Sequence, residues 1–149
     1  MEISPPVSVA IVAALPMRRH CQAILTHTTG ARWPRRIEVV SARRLLQRQR
    51  PAVLLLDAVG APRRALAVVP IVRRLSPTTR LIVIGRKAAP TDVILAGVRG
   101  GALGHISEAD LARDLQKAIH TVAGGEPWLP RRLGAAIVAE LREVCCTSA

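Results

Sequence analysis

One acidic residue stands at a position where a folded chain often places chemistry. Asp57 directly follows Ala52–Leu56, an uninterrupted apolar stretch with the length and composition of a buried strand. A carboxylate at the carboxyl end of a parallel strand lies at the sheet edge where doubly wound folds place their sites. Such a group can act as a nucleophile or help to hold a metal ion. Alternatively, Asp57 only caps the loop that follows or pairs with Arg86 or Lys87.

Residue types that carry other chemistries are few, and their spacing is uninformative. Three cysteines and four histidines show no paired metal-ligand spacing, so we expect no metal site. No nucleophile–base pair and no phosphate-cradling glycine loop is present, so we expect no enzyme. An odd cysteine count with two adjacent residues, Cys145 and Cys146, does not fit a secreted disulfide framework. We therefore expect a cytoplasmic protein, and no apolar run is long enough to cross a membrane.

The elements that position Asp57 alternate between two periodicities. Short apolar runs predict five strands, at Val7–Ala13, Ile37–Val40, Ala52–Leu56, Leu81–Ile84 and Leu103–Ile106. Helical patterns follow each of them, near residues 16–28, 41–50, 64–75, 90–99 and 109–122, and a last one covers 131–144. Five strand–helix units with short connections predict an α/β fold, a flavodoxin-like, doubly wound parallel (βα)₅ sheet of strand order 2-1-3-4-5, followed by a C-terminal helix.

Local signals mark where several of these helices begin and end. Ser41 is expected to cap the second helix, and Gly101 follows the stop of the fourth. Pro70 lies inside the third helix, where it removes a backbone donor, so we expect a kink or a split. Ser107, with Asp110 three residues later, resembles a capping box for the fifth helix.

Four tracts together resemble a known family. They are PAVLLLD, SPTTRLIVI, VRGGALGHIS and AIHTVAGGEPWLPRRL, within residues 7–133. In order and spacing they resemble response-regulator receiver domains, the CheY-like fold, in the form found in NarL/FixJ-type transcription regulators. The last tract is the most specific, because AGGEPWLPRRL resembles the junction between receiver and output domain in that subfamily.

The resemblance implies a phosphorylation site of known composition. In that family a histidine kinase passes a phosphoryl group to an aspartate at the end of the third strand, and two acids after the first strand hold Mg²⁺. Carried over to this chain, only the acceptor survives, as Asp57. The acidic pair falls on Ala13 and Ala14, which cannot ligate a metal ion. We therefore expect no cofactor and no Mg²⁺-dependent phosphorylation.

The remaining positions of the implied site also depart from the family. A Thr or Ser after the fourth strand falls on Gly85, or on Arg86 with one inserted residue, and neither has a hydroxyl group. A lysine after the fifth strand falls on Glu108, which would add repulsion if it pointed inward. An aromatic switch residue falls on His105. The resemblance thus indicates a degenerate receiver, in which Arg86 is an alternative, substitute cation.

The resemblance also suggests how the chain is divided. Residues 1–126 form the receiver-like domain, and 127–149 a linker helix and tail that leaves no room for the helix-turn-helix output domain of the family. An apolar stripe on the linker helix comprises Leu133, Ile137, Leu141 and Val144. These side chains either pack on their own domain or pair with a second copy of the chain.

Charge is concentrated in the first half of the chain. Residues 1–80 contain 14 arginines against three acids, and the whole chain has a formal net charge of +12. Eight arginines are expected side by side on the second and third helices: Arg43, Arg44, Arg48, Arg50, Arg63, Arg64, Arg73 and Arg74. They form either a solvated face or a docking surface for an anionic partner. We expect an acidic protein partner and only weak, non-specific binding to nucleic acid.

These observations favour a non-enzymatic signalling module, an atypical single-domain response regulator of two-component signal transduction. Its expected partners are a signalling protein, such as a histidine kinase or another regulator, and a second copy of the chain. One alternative is a true phosphoacceptor that uses Asp57. Another is an arginine-rich, nucleic-acid-associated regulator on the same fold, since one fold hosts many functions.

Overall fold

A computed structural model describes residues 6–26, 37–41 and 50–147. The elements in chain order are β1 (Val7–Val12), α1 (Leu15–Thr26), β2 (Ile37–Val40), β3 (Val53–Asp57), α2 (Pro62–Leu75), β4 (Arg80–Gly85), α3 (Thr91–Gly100), β5 (Gly104–Ser107), α4 (Leu111–Ala123) and α5 (Leu133–Thr147). The helix predicted between β2 and β3 lies outside the described residues, apart from its ends. Among the described residues, no helix combines the length and apolar character needed to cross a membrane.

The five strands form one parallel sheet of order β2-β1-β3-β4-β5, as predicted. The register places Val12 beside Leu56, Asp57 beside Ile84 and Gly85 beside Ser107. Central strands covered on both faces read as continuous apolar runs, and β3 shows this pattern from Val53 onward. The flavodoxin-like α/β prediction is therefore confirmed.

Alternation along the strands divides the core between the two faces of the sheet. Leu55 and Ile84 point to one face, where α1 and α4 pack through Cys21, Leu115 and Ile119. Strand residues of the opposite parity, including Leu54, Leu56 and Val83, point to the other face. There they pack against Ala65, Val69 and Val72 of α2. Each strand is thus fixed in register, because a slip by one residue would exchange the two faces.

The α2 helix differs from its prediction at Pro70. It runs without interruption from Pro62 to Leu75, so the expected split is wrong. Pro70 lies on the exposed side of the helix, where a carbonyl that lacks its helical donor can bond to water. Pro62 is the first helical residue, a position at which proline has no hydrogen bond to lose.

The start of α4 also differs from its prediction. A 3₁₀ turn, Glu108–Asp110, precedes the helix, which begins at Leu111 instead of Ala109. Ser107 Oγ accepts a hydrogen bond from the Ala109 N–H at 3.3 Å, but Asp110 makes no capping bond. Its carboxylate pairs with Arg113 at 3.3 Å, so the reciprocal half of the predicted capping box is absent.

The segment after α4 lies against the edge of the sheet. The His105 N–H donates to the Trp128 carbonyl at 2.8 Å, and the Trp128 N–H donates to the Leu103 carbonyl at 3.2 Å. Lys117 Nζ lies 5.9 Å from the centre of the Trp128 ring, within cation–π range. The two backbone hydrogen bonds of Trp128 occupy groups of Leu103 and His105 that an open sheet edge would leave unpaired.

The apolar stripe of α5 is divided between two environments. Leu133 is fully buried and Ile137 is half-buried, and both pack with Ile94 of α3. Leu141 and Val144 are exposed. The first half of the stripe therefore packs on its own domain, whereas the side chains of the second half are exposed to solvent.

A glycine pair tests the backbone geometry around α3 and α5. Gly101 ends α3 with φ of 116°, and an added Cβ would lie 2.6 Å from Arg73 Cδ. Gly101→Ala should therefore lower the free energy of unfolding by about 1–3 kcal/mol. Gly134→Ala is the matched control, because nothing lies within 4 Å of its added Cβ. It should raise stability by about 0.5 kcal/mol. Urea denaturation measures both, and equal effects would contradict the geometry.

Candidate functional site

The carboxyl ends of β1, β3, β4 and β5 meet at one edge of the sheet. Val12 pairs with Leu56, so Ala13 leaves β1 beside Asp57. Asp57 pairs with Ile84, and the next residue of β4, Gly85, pairs with Ser107. The structure thus brings Ala13, Asp57 and Gly85 together at the edge where the resemblance places a phosphorylation site.

Asp57 is half-buried, and its carboxylate is used by its own loop. Oδ1 accepts a hydrogen bond from the backbone N–H of Val59 at 2.9 Å, which forms a local turn. No ion pair within 4 Å joins Asp57 to Arg86 or Lys87, all three of which are described. In this geometry Asp57 caps the loop after β3, the simpler of the two roles weighed for it.

Two arginines bind backbone carbonyls at this edge. Arg18 Nη2 donates to the Ala13 carbonyl at 3.3 Å, and Arg86 Nε donates to the Val59 carbonyl at 3.1 Å. Arg86 therefore bonds to the loop and not to the Asp57 carboxylate; its role as substitute cation stays a prediction. Sequence reasoning missed Arg18, although its position in the first turn of α1, four residues after Ala14, was a usable signal. Both guanidinium groups add positive charge to an edge that is acidic in receivers.

The residues at this edge do not fit a magnesium ion. Mg²⁺ requires oxygen ligands in near-octahedral geometry, usually including one or two carboxylates. Ala13 and Ala14 offer no side-chain oxygen, and one oxygen of Asp57 already accepts a hydrogen bond. Within the described ranges, no three His, Cys, Asp or Glu side chains are grouped so that they could hold a metal ion. Nearby positive charge from Arg18 would further oppose a cation.

Glu108 lies in the 3₁₀ turn before α4 and is exposed to solvent. The inward orientation considered for it is therefore absent, and its carboxylate does not enter the interior of the edge. The turn is fixed by Ser107 Oγ, which accepts the Ala109 N–H. Glu108 supplies neither the cation of the family pattern nor a metal ligand near Ala13 and Ala14.

His105 and Gly85 occupy one space together. A Cβ at Gly85 would lie 2.6 Å from His105 Nε2 and 2.9 Å from Cε1, closer than real Cβ contacts. The imidazole ring thus fills the volume that a side chain of residue 85 would need. Glycine in a strand commonly marks such a close approach. The two departures from the family pattern, at the hydroxyl position and at the switch position, are sterically a single feature.

The buried ring of His105 is neutral at pH 7. The residue is 7 % exposed, and its Nδ1 atom is buried without a hydrogen-bond partner. Burial, and then the positive charge of Arg132, lower the pKa of His105 from 6.5 to about 4. Arg132 is held in place by bonds from its guanidinium group to the Ala89 carbonyl at 2.7 Å and to Thr91 Oγ1 at 3.3 Å.

Cys21 of α1 is fully buried on the face of the sheet that α1 and α4 cover. Burial, and then the negative charge of Asp57, raise the pKa of its thiol to about 11. A thiol with so high a pKa stays protonated and is a poor nucleophile or metal ligand. Its spacing to Leu25, one helical turn later, indicated an inward position in the sequence.

The predicted basic surface lies partly within the described residues. Arg63, Arg64, Arg73 and Arg74 of α2 are all exposed, α2 contains no acid, and none of them pairs with a described carboxylate. Arg50 is also exposed. Arg43, Arg44 and Arg48 lie outside the described residues. One helix therefore carries four positive charges that no described acid pairs with, and their approach to the other four stays a prediction.

The contact between Gly85 and His105 can be measured as a coupling free energy. Gly85→Ala should lower the free energy of unfolding by about 2 kcal/mol, because its Cβ must displace the ring. In a His105→Ala background the same substitution should cost at least about 1 kcal/mol less. Gly60→Ala is the matched control at this edge, since an added Cβ there meets nothing within 4 Å. Additive effects of the two substitutions in urea denaturation would refute the contact.

Stability should depend on pH through His105. The folded pKa of about 4 lies below the ordinary 6.5. The unfolded state therefore binds a proton first as the pH falls. The contribution is complete above pH 6.5 and is lost between pH 6.5 and 4. From pH 7 to 5 the free energy of unfolding should fall by about 2 kcal/mol more in the wild type than in His105→Leu. Urea titrations at both values measure this difference, and parallel behaviour of the two proteins would argue against a buried neutral ring.

Comparisons with known proteins rest on structure. No family model matches the chain, and no curated protein matches its sequence. The isolated REC domain of RcsB from Salmonella enterica serovar Typhimurium superposes with a TM-score of 0.70 at 17 % identity, covering 88 % of this chain and 98 % of that domain.

Two LuxR-family regulators give similar values. The two-component response regulator from Aurantimonas sp. SI85-9A1 has a TM-score of 0.66 at 19 % identity, with coverage of 92 % of this chain and 98 % of that one. The DNA-binding response regulator from Silicibacter pomeroyi has a TM-score of 0.67 at 21 % identity, with coverage of 85 % and 98 %. The resemblance read from the four sequence tracts is thus matched in three dimensions, and the chain has the fold of a response-regulator receiver domain.

Proposed function

We propose that this protein is an atypical response regulator, a receiver-fold module that acts in two-component signal transduction by binding other proteins. In this proposal the module is non-enzymatic and works without Mg²⁺-dependent phosphorylation. Support comes from the structural similarity to the receiver domain of RcsB and to two LuxR-family regulators. The alternating strand–helix pattern and the junction tract AGGEPWLPRRL support it independently.

The observation that carries the proposal is the composition of the carboxyl edge. One carboxylate, Asp57, remains there, and it accepts a hydrogen bond from its own loop. Ala13, Ala14 and Gly85 stand where the resemblance places the two acids and the hydroxyl group. Arg18 and Arg86 contact backbone carbonyls at the same edge. The edge thus retains an acceptor without the groups that make the acceptor reactive.

The chemistry of phosphoryl transfer explains why those groups matter. Charge on the transferred phosphoryl group is spread over its oxygens, and catalysis is almost entirely positioning and electrostatic stabilisation. Removal of one preorganised hydrogen-bond donor from a reaction centre typically costs about 10²–10³ in rate. Loss of the metal, the hydroxyl group and the lysine together removes most of that stabilisation. Transfer to Asp57 should therefore be far slower than in a complete receiver.

Protein surfaces remain available for signalling without that reaction. Leu141 and Val144 expose apolar side chains on α5, the helix that follows the junction tract. One matched structure is described as two RcsB dimers bound to two parallel DNAs. We extend dimer formation to this chain as part of the proposal, with a kinase or another regulator as the further partner.

A second candidate function is supported by the arginines of α2. Arg63, Arg64, Arg73 and Arg74 are exposed and unpaired with described acids, which favours an anionic partner. Nucleic acid is one such partner, and the protein would then be an arginine-rich regulator on a receiver fold. Aromatic residues that stack on bases are scarce, since the chain has two tryptophans and no Phe or Tyr. An acidic protein therefore remains the favoured partner.

Phosphorylation of Asp57 is tested directly with a small phosphodonor. The protein is incubated with acetyl phosphate and Mg²⁺ and weighed by intact-mass spectrometry. We expect no adduct above the background of Asp57→Asn, because Ala13 and Ala14 offer Mg²⁺ no ligand. A receiver domain with the full set of acids, hydroxyl group and lysine is treated in parallel as a positive control. A substantial adduct in the wild type that disappears in Asp57→Asn would favour the true phosphoacceptor instead.

A further inference from the structure

A cavity of about 290 Å³ lies between α2, α3 and the carboxyl ends of β4 and β5. Its walls are mostly apolar, and its lining includes Leu66 of α2, Val83 of β4, and Val93, Ile94 and Val98 of α3. The loop after β4 covers one side through Ala89 and Pro90. Small-molecule sites have this character, an apolar concavity with few polar groups.

Two glycines line the cavity where side chains of other elements approach the backbone closely. Gly85 and Gly97 both line the cavity. A Cβ on Gly97 would lie 3.3 Å from Leu66 Cδ2 and 3.8 Å from Val83 Cγ2. The helix α3 therefore approaches Leu66 of α2 and Val83 of β4 closely at Gly97.

Two side chains supply all the titratable groups of the lining, and neither is acidic. Arg86 already donates from Nε to the Val59 carbonyl. His105 is 7 % exposed, lines the cavity, and has a buried Nδ1 without a hydrogen-bond partner. With no acid in the lining, a cationic ligand would have no partner there. The imidazole is the buried polar group of the lining, whereas Arg86 is exposed to solvent.

We propose that this cavity binds a small, two-ring aromatic molecule without positive charge, whose single hydroxyl group forms a hydrogen bond with His105. Its size follows from volume, because a cavity of about 150 Å³ holds one benzene ring. The hydroxyl group follows from the neutral imidazole, which has one donor and one acceptor, so that a group able to do both suits either tautomer. This ligand site goes beyond the proposed signalling function and does not require it.

The position of the cavity connects it to the C-terminal helix. Ile94 of α3 lines the cavity and also packs with Leu133 and Ile137 of α5. Arg99, at the end of α3, forms an ion pair with Glu140 of α5. A ligand in the cavity would thus contact the helix on which α5 rests.

Isothermal titration calorimetry with 2-naphthol and naphthalene tests the proposal on the full chain. We expect one 2-naphthol per protein, with a dissociation constant on the order of 10–100 μM. Naphthalene, which lacks the hydroxyl group, should bind about fivefold more weakly. His105→Phe keeps a flat ring without nitrogen atoms, and there the two probes should bind equally. A preference for 2-naphthol that persists in His105→Phe, or equal binding of both probes to the wild type, would overturn the role of His105.

Filling the cavity provides the second arm of the test. Val93→Phe and Val98→Phe each place a ring in the space, and each should weaken 2-naphthol binding at least tenfold. Ala96→Gln is the matched control on the same helix, because Ala96 is exposed and does not line the cavity. It should leave the affinity unchanged. Thermal melts establish that the variants fold. Two cavity-filling variants are used so that the test still stands if one of them does not fold. No binding by the wild type, or unchanged binding in both filled variants, would overturn the site.

Discussion

The close approach of His105 to Gly85 is the contact around which the carboxyl edge of the sheet is arranged. The ring lies where a side chain of residue 85 would begin, 2.6 Å from the position of its Cβ. Two consequences follow from this one contact. A hydroxyl-bearing residue cannot occupy position 85 while the ring stays in place. The ring, for its part, is buried and neutral, with a pKa lowered to about 4, and so tolerates an environment in which an imidazolium would be unstable.

Arginines lie at this edge of the sheet, where a receiver that is phosphorylated has a cluster of acids. In a receiver, several acids bind a metal ion that coordinates the phosphoryl oxygens. These carboxylates lie close together and therefore repel one another when the metal is absent. Here the acids are replaced by Ala13 and Ala14, and Arg18 satisfies the Ala13 carbonyl. Of the three acids that the resemblance implies, Asp57 alone remains, and it accepts a hydrogen bond from the backbone N–H of Val59.

The sheet could be predicted from the sequence, but side-chain contacts between residues distant in the chain could not. Apolar runs that end at Asp57 and Gly85 gave the strands to within about one residue at most ends, because burial on both faces leaves a continuous signal. The split predicted at Pro70 is absent, since the cost of an internal proline falls when the carbonyl that loses its donor faces water. Of the predicted capping box, the bond to Ser107 Oγ is present, whereas Asp110 pairs with Arg113 instead of capping the helix. No periodicity could reveal that His105 fills the place of a residue twenty positions earlier, as that depends on strand register.

The cavity and the C-terminal helix are joined by α3, and this makes α3 the element through which the edge can affect the rest of the molecule. One side of α3 faces the cavity through Val93, Ile94 and Val98. Ile94 also meets Leu133, and Arg99 pairs with Glu140. A packed interface of this kind responds to displacement as a unit, because interiors are dense and transmit strain. A ligand that bound beside α3 and preferred one position of that helix would therefore also shift the population of positions of α5.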